Sequence, residues 1–422
     1  MYPPTMLPPL PPPVTRCYAP EDRLGFLLAN RLELTSILGV GAYGVVYTAV
    51  DIHTNIMYAV KAFNKTGLDP RQLKCQQREI KLHYMASQHP SVVSLLRIMD
   101  SPECIYVVME YCREGDLFSS ITEKGNYVGN DALVRSVFLQ ILSAVQFCHD
   151  MGIYHRDLKP ENILVSDQGR SVKLADFGLA STDYFTSDFG CGSTFYMSPE
   201  CQQSNPRPMS CYAAAPNDVW SLGVILVNLT CGRNPWKRAS VEDSSFRAYL
   251  KDPFFLKSIL PLTDEMVYIL SRIFECDPAK RITIRELRKL VLECPRFTTT
   301  SMTPWVSNNR PQPVNFIPNP HIVSTPVEPL DAQPSASSSD ASSYYSNFSN
   351  SAVSDASSLT EDYSDLDSIS SSAEILPGVY HKGDEYVFPQ VDPTVCNPYN
   401  PGNYPGLSLV PNHFYGSPYA VS

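Results

Sequence analysis

The sequence predicts an α+β fold with strands in front and helices behind, and three stretches carry that prediction. Arg31 to Phe63 falls into short β-branched and aromatic runs, RLELTSIL, VVYTAVDI and MYAVKAF, separated by the turns GVGAYG and HTN. Asp131 to Met151 places Leu133, Val137, Phe138, Ile141, Leu142, Val145 and Phe147 at helical spacing along one side. Between these regions lies IYHRDLKPENILVSDQGRSVKLADFGLA, Ile153 to Ala180, around which the chain is organised. Within it NILV and VKLA read as short strands joined by a polar turn at Gly169. Such a hairpin brings Asn162 and Asp176 back to one end, close to Asp157.

Two carboxylates and a carboxamide at this spacing suit phosphoryl transfer. One acid, Asp157, sits beside an incoming hydroxyl, while Asn162 and Asp176 hold magnesium against nucleotide phosphates. Magnesium takes hard oxygen ligands and keeps several waters, so one Asp, one Asn and the phosphates suffice. Gly39, Gly41 and Gly44 lie at GxGxxG spacing, with Val46 two residues later. A dinucleotide-binding unit shares that string but opens a helix after it. Here a β-branched strand follows, which favours a hairpin lying over phosphates. Lys61 is flanked by Ala59, Val60, Ala62 and Phe63, so its ammonium is expected to point into a cleft. Glu79 is the only acid of the following helix, PRQLKCQQREIKLHYMASQ, and is its expected partner.

Of 422 residues, 33 are Lys or Arg and 43 are Asp or Glu, a net charge of −10. Residues 301–422 contain twelve of the acids but only Arg310 and Lys382, so residues 1–300 are neutral, with 31 of each sign. That balance argues against nucleic acid as the main partner, since phosphate backbones need a basic face. Twelve cysteines show no CxxC pair, as in a reducing compartment. The N-terminus MYPPTMLPPLPPP lacks a basic start and a continuous apolar core, and the run Leu222–Gly232 is too short to span a bilayer. A soluble cytoplasmic or nuclear protein, with no membrane partner, is expected.

HRDLKPEN and DFG, in this order and at this distance, resemble the eukaryotic protein kinases of the serine/threonine type. The resemblance implies a bilobal kinase fold: an antiparallel sheet with one regulatory helix (about 30–110), then a mainly α-helical lobe (about 113–297). It also implies ATP and Mg2+ as cofactors and protein substrates as partners, with the enzyme expected to be monomeric. The implied ATP-binding set is Gly39, Val40, Gly41, Ala42, Tyr43, Gly44, Val46, Ala59, Lys61, Glu79, Met109, Glu110, Cys112, Asp116 and Leu164. Met109 would be the gatekeeper, and backbone groups of Glu110 and Cys112 would bond the adenine edge. Lys159 is the lysine of serine/threonine kinases, and Ser193 falls where they usually carry Thr. Its hydroxyl is expected to bridge Asp157 and Lys159. The activation segment runs from Asp176, through Phe177 and Gly178, to Glu200, whose carboxylate would pair with Arg281.

The family's usual phosphorylated Thr aligns with Phe189, which cannot be phosphorylated. Either Thr186, Ser187 or Asp188 then answers Arg156, or the loop is ordered without modification; ordering without modification is the stronger expectation. His83, where kinases usually place an apolar residue, is expected to be a satisfied core histidine beside Phe177. Residues between Glu200 and Asp218 read as a turn-rich surface insertion, with Asp218 anchoring the catalytic-loop backbone. GCGSTFYMSPE with NLTCGRNPW resembles more narrowly the fungal Ran/Pat-type kinases, which restrain meiosis, and their nutrient-responsive relatives. Residues 1–25 read as a Pro-rich disordered leader and 26–297 as the kinase domain. Residues 298–422 read as a disordered acidic tail that could recruit regulators, with Ser364 and Ser371 as candidate phosphorylation sites. The competing class is a scaffold of pseudokinase type that binds nucleotide and recruits through that tail, but such proteins usually lose the Lys or one of the acids kept here.

Overall fold

The structure is a computed structural model describing residues 19–41, 44–203 and 206–299, together with the backbone of 380–382 and 385–387. The first lobe is an antiparallel sheet of β1 (Leu27–Leu28), β2 (Leu32–Val40), β3 (Val45–Asp51), β4 (Met57–Asn64), β5 (Leu95–Asp100) and β6 (Cys104–Glu110), ordered β1-β2-β3-β4-β6-β5. Its helix α1 (Pro70–Ala86) starts at a reciprocal cap. The Asp69 carboxylate accepts from the Arg71 and Gln72 N–H groups at 2.7 and 2.8 Å, and the Gln72 amide returns to the Asp69 N–H. Pro70 follows at the first helical position, where its missing N–H leaves no bond unmade.

Each face of the sheet has its own cover. Phe63, Leu95, Ile98 and Val107 pack with Ile80 of α1 on one side, which ties the helix bearing Glu79 to the strand bearing Lys61. The opposite face presents Leu34, Tyr47, Val60 and Val108, closed by Phe26 and Leu28. There the short 3-10 helix Pro20–Arg23 inserts Arg23, which is 2% exposed and donates to the Asn64 side chain. The Tyr47 hydroxyl donates to the Pro20 carbonyl at 2.8 Å. The ordered lobe therefore begins before residue 26: residues 20–25 are part of it, contrary to the expected leader. Residues 1–18 lie outside the described residues.

The second lobe is built on α2 (Leu117–Thr122), α3 (Asp131–Asp150), the hairpin β7 (Ile163–Ser166) and β8 (Ser171–Leu174), and the ribbon β9 (Phe185–Thr186) with β10 (Tyr212–Ala213). It continues through α4 (Ala214–Cys231), α5 (Ser244–Lys251), α6 (Phe255–Ile259), α7 (Asp264–Ile273) and α8 (Ile284–Glu293). In α3 the buried stripe is Val134, Val137, Phe138, Ile141, Leu142, Ala144, Val145 and Cys148; Leu133 and Phe147, expected within it, are only half-buried at its margins. By length and apolar composition α3 could cross a membrane, but its apolar side is in this core. Helix α4 is buried along most of its length, with Trp220 against Trp236, Phe246 and Phe274. Each such side chain taken from water contributes roughly 1.5–3 kcal/mol.

The expected surface insertion between Glu200 and Asp218 is buried at both ends. Cys201, Gln202, Tyr212 and Ala214 are inside, because Tyr212 packs on Phe189 and β10 pairs with β9; among the described residues between them, Gln203 and 206–211 lie toward the surface. The described residues of the tail beyond 299 depart from its expected lack of structure. Strands β11 (Tyr380–Lys382) and β12 (Glu385–Val387) pair with each other, and β12 adds antiparallel to the outer edge of β5. The remainder of the tail from residue 300, with Ser364 and Ser371, lies outside the described residues.

Candidate active site

The turn between α3 and β7 holds the first acid. Asp218, wholly buried at the start of α4, accepts from the N–H of His155 (2.9 Å), the N–H of Arg156 (2.8 Å) and His149 Nε2 (2.9 Å). These bonds fix a backbone in which Arg156 adopts φ +64°, a conformation an L-residue holds only when its surroundings impose it. Asp157 follows. Lys159 Nζ lies 2.8 Å from its Oδ2, and the Asn162 amide donates to its carbonyl (2.9 Å) and to Oδ2 (3.2 Å). Oδ1 of Asp157 is buried without a protein partner, an acceptor left for a group from outside. Ser193 takes a bond from Lys159 Nζ at 2.9 Å, so it reaches Asp157 through Lys159 and not by bridging both. Gly192 is required beside it: its φ is +113°, and a Cβ there would lie 2.5 Å from the Arg156 carbonyl.

Across the cleft, Lys61 Nζ lies 2.5 Å from Glu79 Oε1 and 3.2 Å from Asp176 Oδ1. Burial works against the ammonium, yet the two carboxylates hold its pKa above the ordinary lysine value. Burial also pushes the Asp176 carboxyl up, and Lys61 outweighs it, keeping Asp176 below the usual range and ionised. Asp176 has φ +59° and accepts weakly from the Gly178 N–H (3.4 Å). Phe177, fully buried, is stacked on His83 with ring centroids 5.2 Å apart and flanked by His155 at the same distance. His83 Nε2 donates to the Val93 carbonyl at 2.8 Å, and burial lowers its pKa to about 4, so the ring is neutral.

Over the cleft, the Gly41 N–H donates to the Gly44 carbonyl at 2.8 Å. Gly44 sits so close to β4 that a Cβ would lie 2.5 Å from the Ala62 carbonyl. Ala42 and Tyr43 at the tip lie outside the described residues. No three His, Cys, Asp or Glu side chains among the described residues form a metal cage. The donors present are those of a magnesium site completed by phosphate. The Asn162 amide NH2 is spent on Asp157, so its oxygen would be the group offered to magnesium, together with the ionised Asp176 carboxylate.

The protein kinase domain family matches residues 32–291. The chain belongs to the protein kinase family. It is 51% identical over 297 residues to the negative regulator of sexual conjugation and meiosis of Schizosaccharomyces pombe, covering 66% of this chain and 63% of that protein. It is 35% identical over 330 residues to the serine/threonine-protein kinase VHS1 of Saccharomyces cerevisiae, covering 64% and 71%. To the carbon catabolite-derepressing protein kinase of Secale cereale it is 39% identical over 263 residues, covering 61% and 50%. A protein kinase domain implies use of ATP and protein substrates.

In this kinase the remaining expected residues fall along the cleft wall. Ala59 and Met109 are register partners on β4 and β6, and Val46 faces Lys61 across β3 and β4. Val40 and Gly39 end β2. The Glu110 N–H is donated to the Ser94 carbonyl (3.1 Å), so of its backbone only the carbonyl remains for an adenine edge. Asp116 caps α2, accepting from the Ser119 N–H at 2.7 Å, and is bridged by backbone to Leu164. Sequence reasoning missed one connection here: Lys173 of β8 donates to Glu110 at 2.8 Å, and Glu110 also accepts from the Ser94 N–H. The pair spans the lobes beside Cys112, and nothing in the spacing of 110 and 173 signals it.

The activation segment is ordered around Arg156. Its Nε donates to the Leu179 carbonyl (2.8 Å), and its Nη1 donates to Thr186 (3.2 Å) and to the Asp188 carboxylate (2.9 Å). Asp188 thus answers the arginine, Thr186 is buried beneath it, and Ser187 points outward. Phe189 packs with Met197, Cys201 and Tyr212. At the end of the segment, Arg281 grips Glu200 with two bonds, 2.5 and 3.0 Å, and lies 4.9 Å from the Trp220 ring.

Proposed function

We propose that this chain is an ATP-dependent protein serine/threonine kinase that transfers the γ-phosphoryl group of ATP to Ser or Thr hydroxyls. The observation that carries the reading is the Asp157 Oδ1 left open beside Lys159, opposite a Lys61 already charged and held by Glu79 and Asp176. Asp157 orients the incoming hydroxyl and accepts its proton, and Lys159 offsets charge on the group being transferred. Lys61 binds the α- and β-phosphates. Asn162 and Asp176 would hold magnesium, which neutralises charge on the phosphate oxygens. Every one of these side chains is positioned by the fold before substrate arrives, and catalysis here is positioning plus electrostatics.

Similarity to the fission-yeast regulator supports a role in the control of sexual conjugation or meiosis. The ten free cysteines among the described residues support a reducing cytoplasmic or nuclear site. The test is transfer of label from γ-labelled ATP to a generic Ser/Thr substrate by the full-length protein. Asp157→Ala should lower it by several orders of magnitude while leaving nucleotide binding in place. Normal transfer by that variant would end the assignment.

A further inference from the structure

Immediately beside Ser193, the activation segment and the chain beyond Glu200 enclose an open cavity of about 330 Å³. Its lining includes Phe189, Gly190, Thr194, Met197, Gln202 and Arg238. Thr194 is the neighbour of Ser193, which bonds the same Lys159 that pairs with Asp157. One residue of extended peptide spans about 3.3–3.6 Å, so a residue flanking the phosphoacceptor comes within reach of this cavity.

Among the described residues the lining contains no acid, and Arg238 is its one charged residue. That arginine is half-buried and held from two sides. Its Nε donates to Gln202 Oε1 at 2.8 Å, while the Gln202 amide donates to the Met197 carbonyl at 2.8 Å, fixing the glutamine to the loop. The turn that carries Arg238 is pinned by Asp243, which accepts from the Lys237 N–H at 3.0 Å. Other arginines near the site have carboxylates: Arg156 has Asp188 and Arg281 has Glu200. Among the described residues none comes within ion-pair reach of Arg238. A guanidinium that lines a cavity with its Nε already fixed has two terminal nitrogens that no carboxylate among the described residues takes up, which suits a two-pronged bond to an anion.

We infer that this cavity is a substrate subsite that selects an anionic side chain next to the phosphoacceptor, with Arg238 as its reader and Gln202 as the residue that positions Arg238. Phe189 and Met197 supply an apolar part of the lining, and open space beside Gly190, where an added Cβ would meet nothing within 4 Å, leaves room for a Glu or a phosphoserine. The inference rests on the kinase reading and adds a substrate class to it.

The experiment uses full-length protein and peptides with a single Ser acceptor, flanked on either side in turn by Ala, Gln, Glu, Lys, Leu or phosphoserine. Both kcat/KM for transfer and the equilibrium affinity of each peptide are measured. At one flanking position Glu should exceed Gln by roughly tenfold or more, the usual scale of a charge-assisted bond, and Lys should fall below Gln. In Arg238→Gln the Glu-to-Gln ratio should fall to about one, and in Arg238→Glu the Lys peptide should overtake the Gln peptide. Phosphoserine above Glu, with Gln below both, also supports the subsite and names a previously phosphorylated substrate as its source. Equal rates and affinities for Glu and Gln peptides, a preference for Leu, or a Glu preference that survives Arg238→Gln would each overturn it. Transfer to the Ala-flanked peptide reads kinase activity by itself. The affinity ratios decide the subsite even if that transfer fails, so the two failures are distinguishable.

Discussion

His83 gives a prediction whose size follows from its surroundings. The ring is neutral, stacked on Phe177, and spends its one N–H on the Val93 carbonyl. Replacing it by Gln keeps an amide donor for Val93 and removes the titration. In the folded state burial lowers the histidine pKa from 6.5 to about 4; Lys61 lowers it further, while the Val93 carbonyl, Asp176 and Glu110 act in the other direction. Above pH 6.5 both folded and unfolded forms are neutral, and the shift contributes nothing. As pH falls from 6.5 toward 4 the unfolded chain takes up a proton that the folded chain refuses, so stability is lost. The full gap, from 6.5 to about 4, corresponds to about 3 kcal/mol, of which about 2 kcal/mol is lost by pH 5. Urea unfolding of wild type and His83→Gln at pH 7.5 and pH 5 reads the difference, because the other titrating groups are common to both proteins. Wild type should lose about 2 kcal/mol relative to the variant over that interval. A difference that stays constant with pH would refute a buried neutral ring at this position.

Further outcomes follow from the site. Glu79→Gln leaves Lys61 with Asp176 alone; the KM for ATP should rise and kcat/KM should fall roughly 10- to 100-fold, the cost of a small misplacement of the phosphate-binding ammonium. Asp188→Asn leaves the buried Arg156 without a carboxylate, but Asp188 is itself mostly exposed, so the drop in kcat should be modest, about three- to tenfold. Wild-type protein made in bacteria should keep its activity after phosphatase treatment, and strict dependence on a loop phosphate would refute the ordering by Asp188. Arg281→Met strands the Glu200 carboxylate in a pocket that is nearly closed, and should destabilise the protein by about 3–5 kcal/mol in urea or thermal unfolding. Glu200→Gln in that background should recover part of the loss.

What the sequence makes legible is what lies close together along the chain. Asp157, Asn162 and the hairpin leading to Asp176 sit within twenty residues, so their spacing alone brings them to one end of a turn. The cap at Asp69 and the α3 stripe are equally local, although periodicity could not tell that Leu133 and Phe147 fall at the stripe's margin. Long-range choices were not legible. Thr186, Ser187 and Asp188 are chemically able to meet Arg156, and only the path of the loop picks the carboxylate for the ion pair and buries the threonine. Arg23 is hidden in a proline-rich stretch that reads as unstructured, yet it closes one face of the first sheet. The pairs Glu110–Lys173 and Gln202–Arg238 join segments with no shared local pattern.

The position of Phe189 explains how a loop with no phosphorylatable residue at that place can still be ordered. Arg156 joins three parts: its N–H goes to Asp218 under the catalytic loop, its Nε to Leu179 after Phe177, and its Nη1 to Thr186 and Asp188 in the activation segment. A phosphate would draw that arginine electrostatically and could be removed again. Here a permanent carboxylate pairs with it, and the neighbouring ring is anchored on Tyr212, Met197 and Cys201. Burying an aromatic side chain contributes roughly 1.5–3 kcal/mol when complete; Phe189 is half-buried and gains about half of that, still comparable with or larger than an exposed ion pair, and salt does not screen it. The loop is therefore held mainly by packing, with Asp188 satisfying the charge that packing leaves behind. Replacing Phe189 by Ala should then loosen the segment more than Asp188→Asn does, and the order of the two effects on kcat separates packing from electrostatics as the dominant restraint.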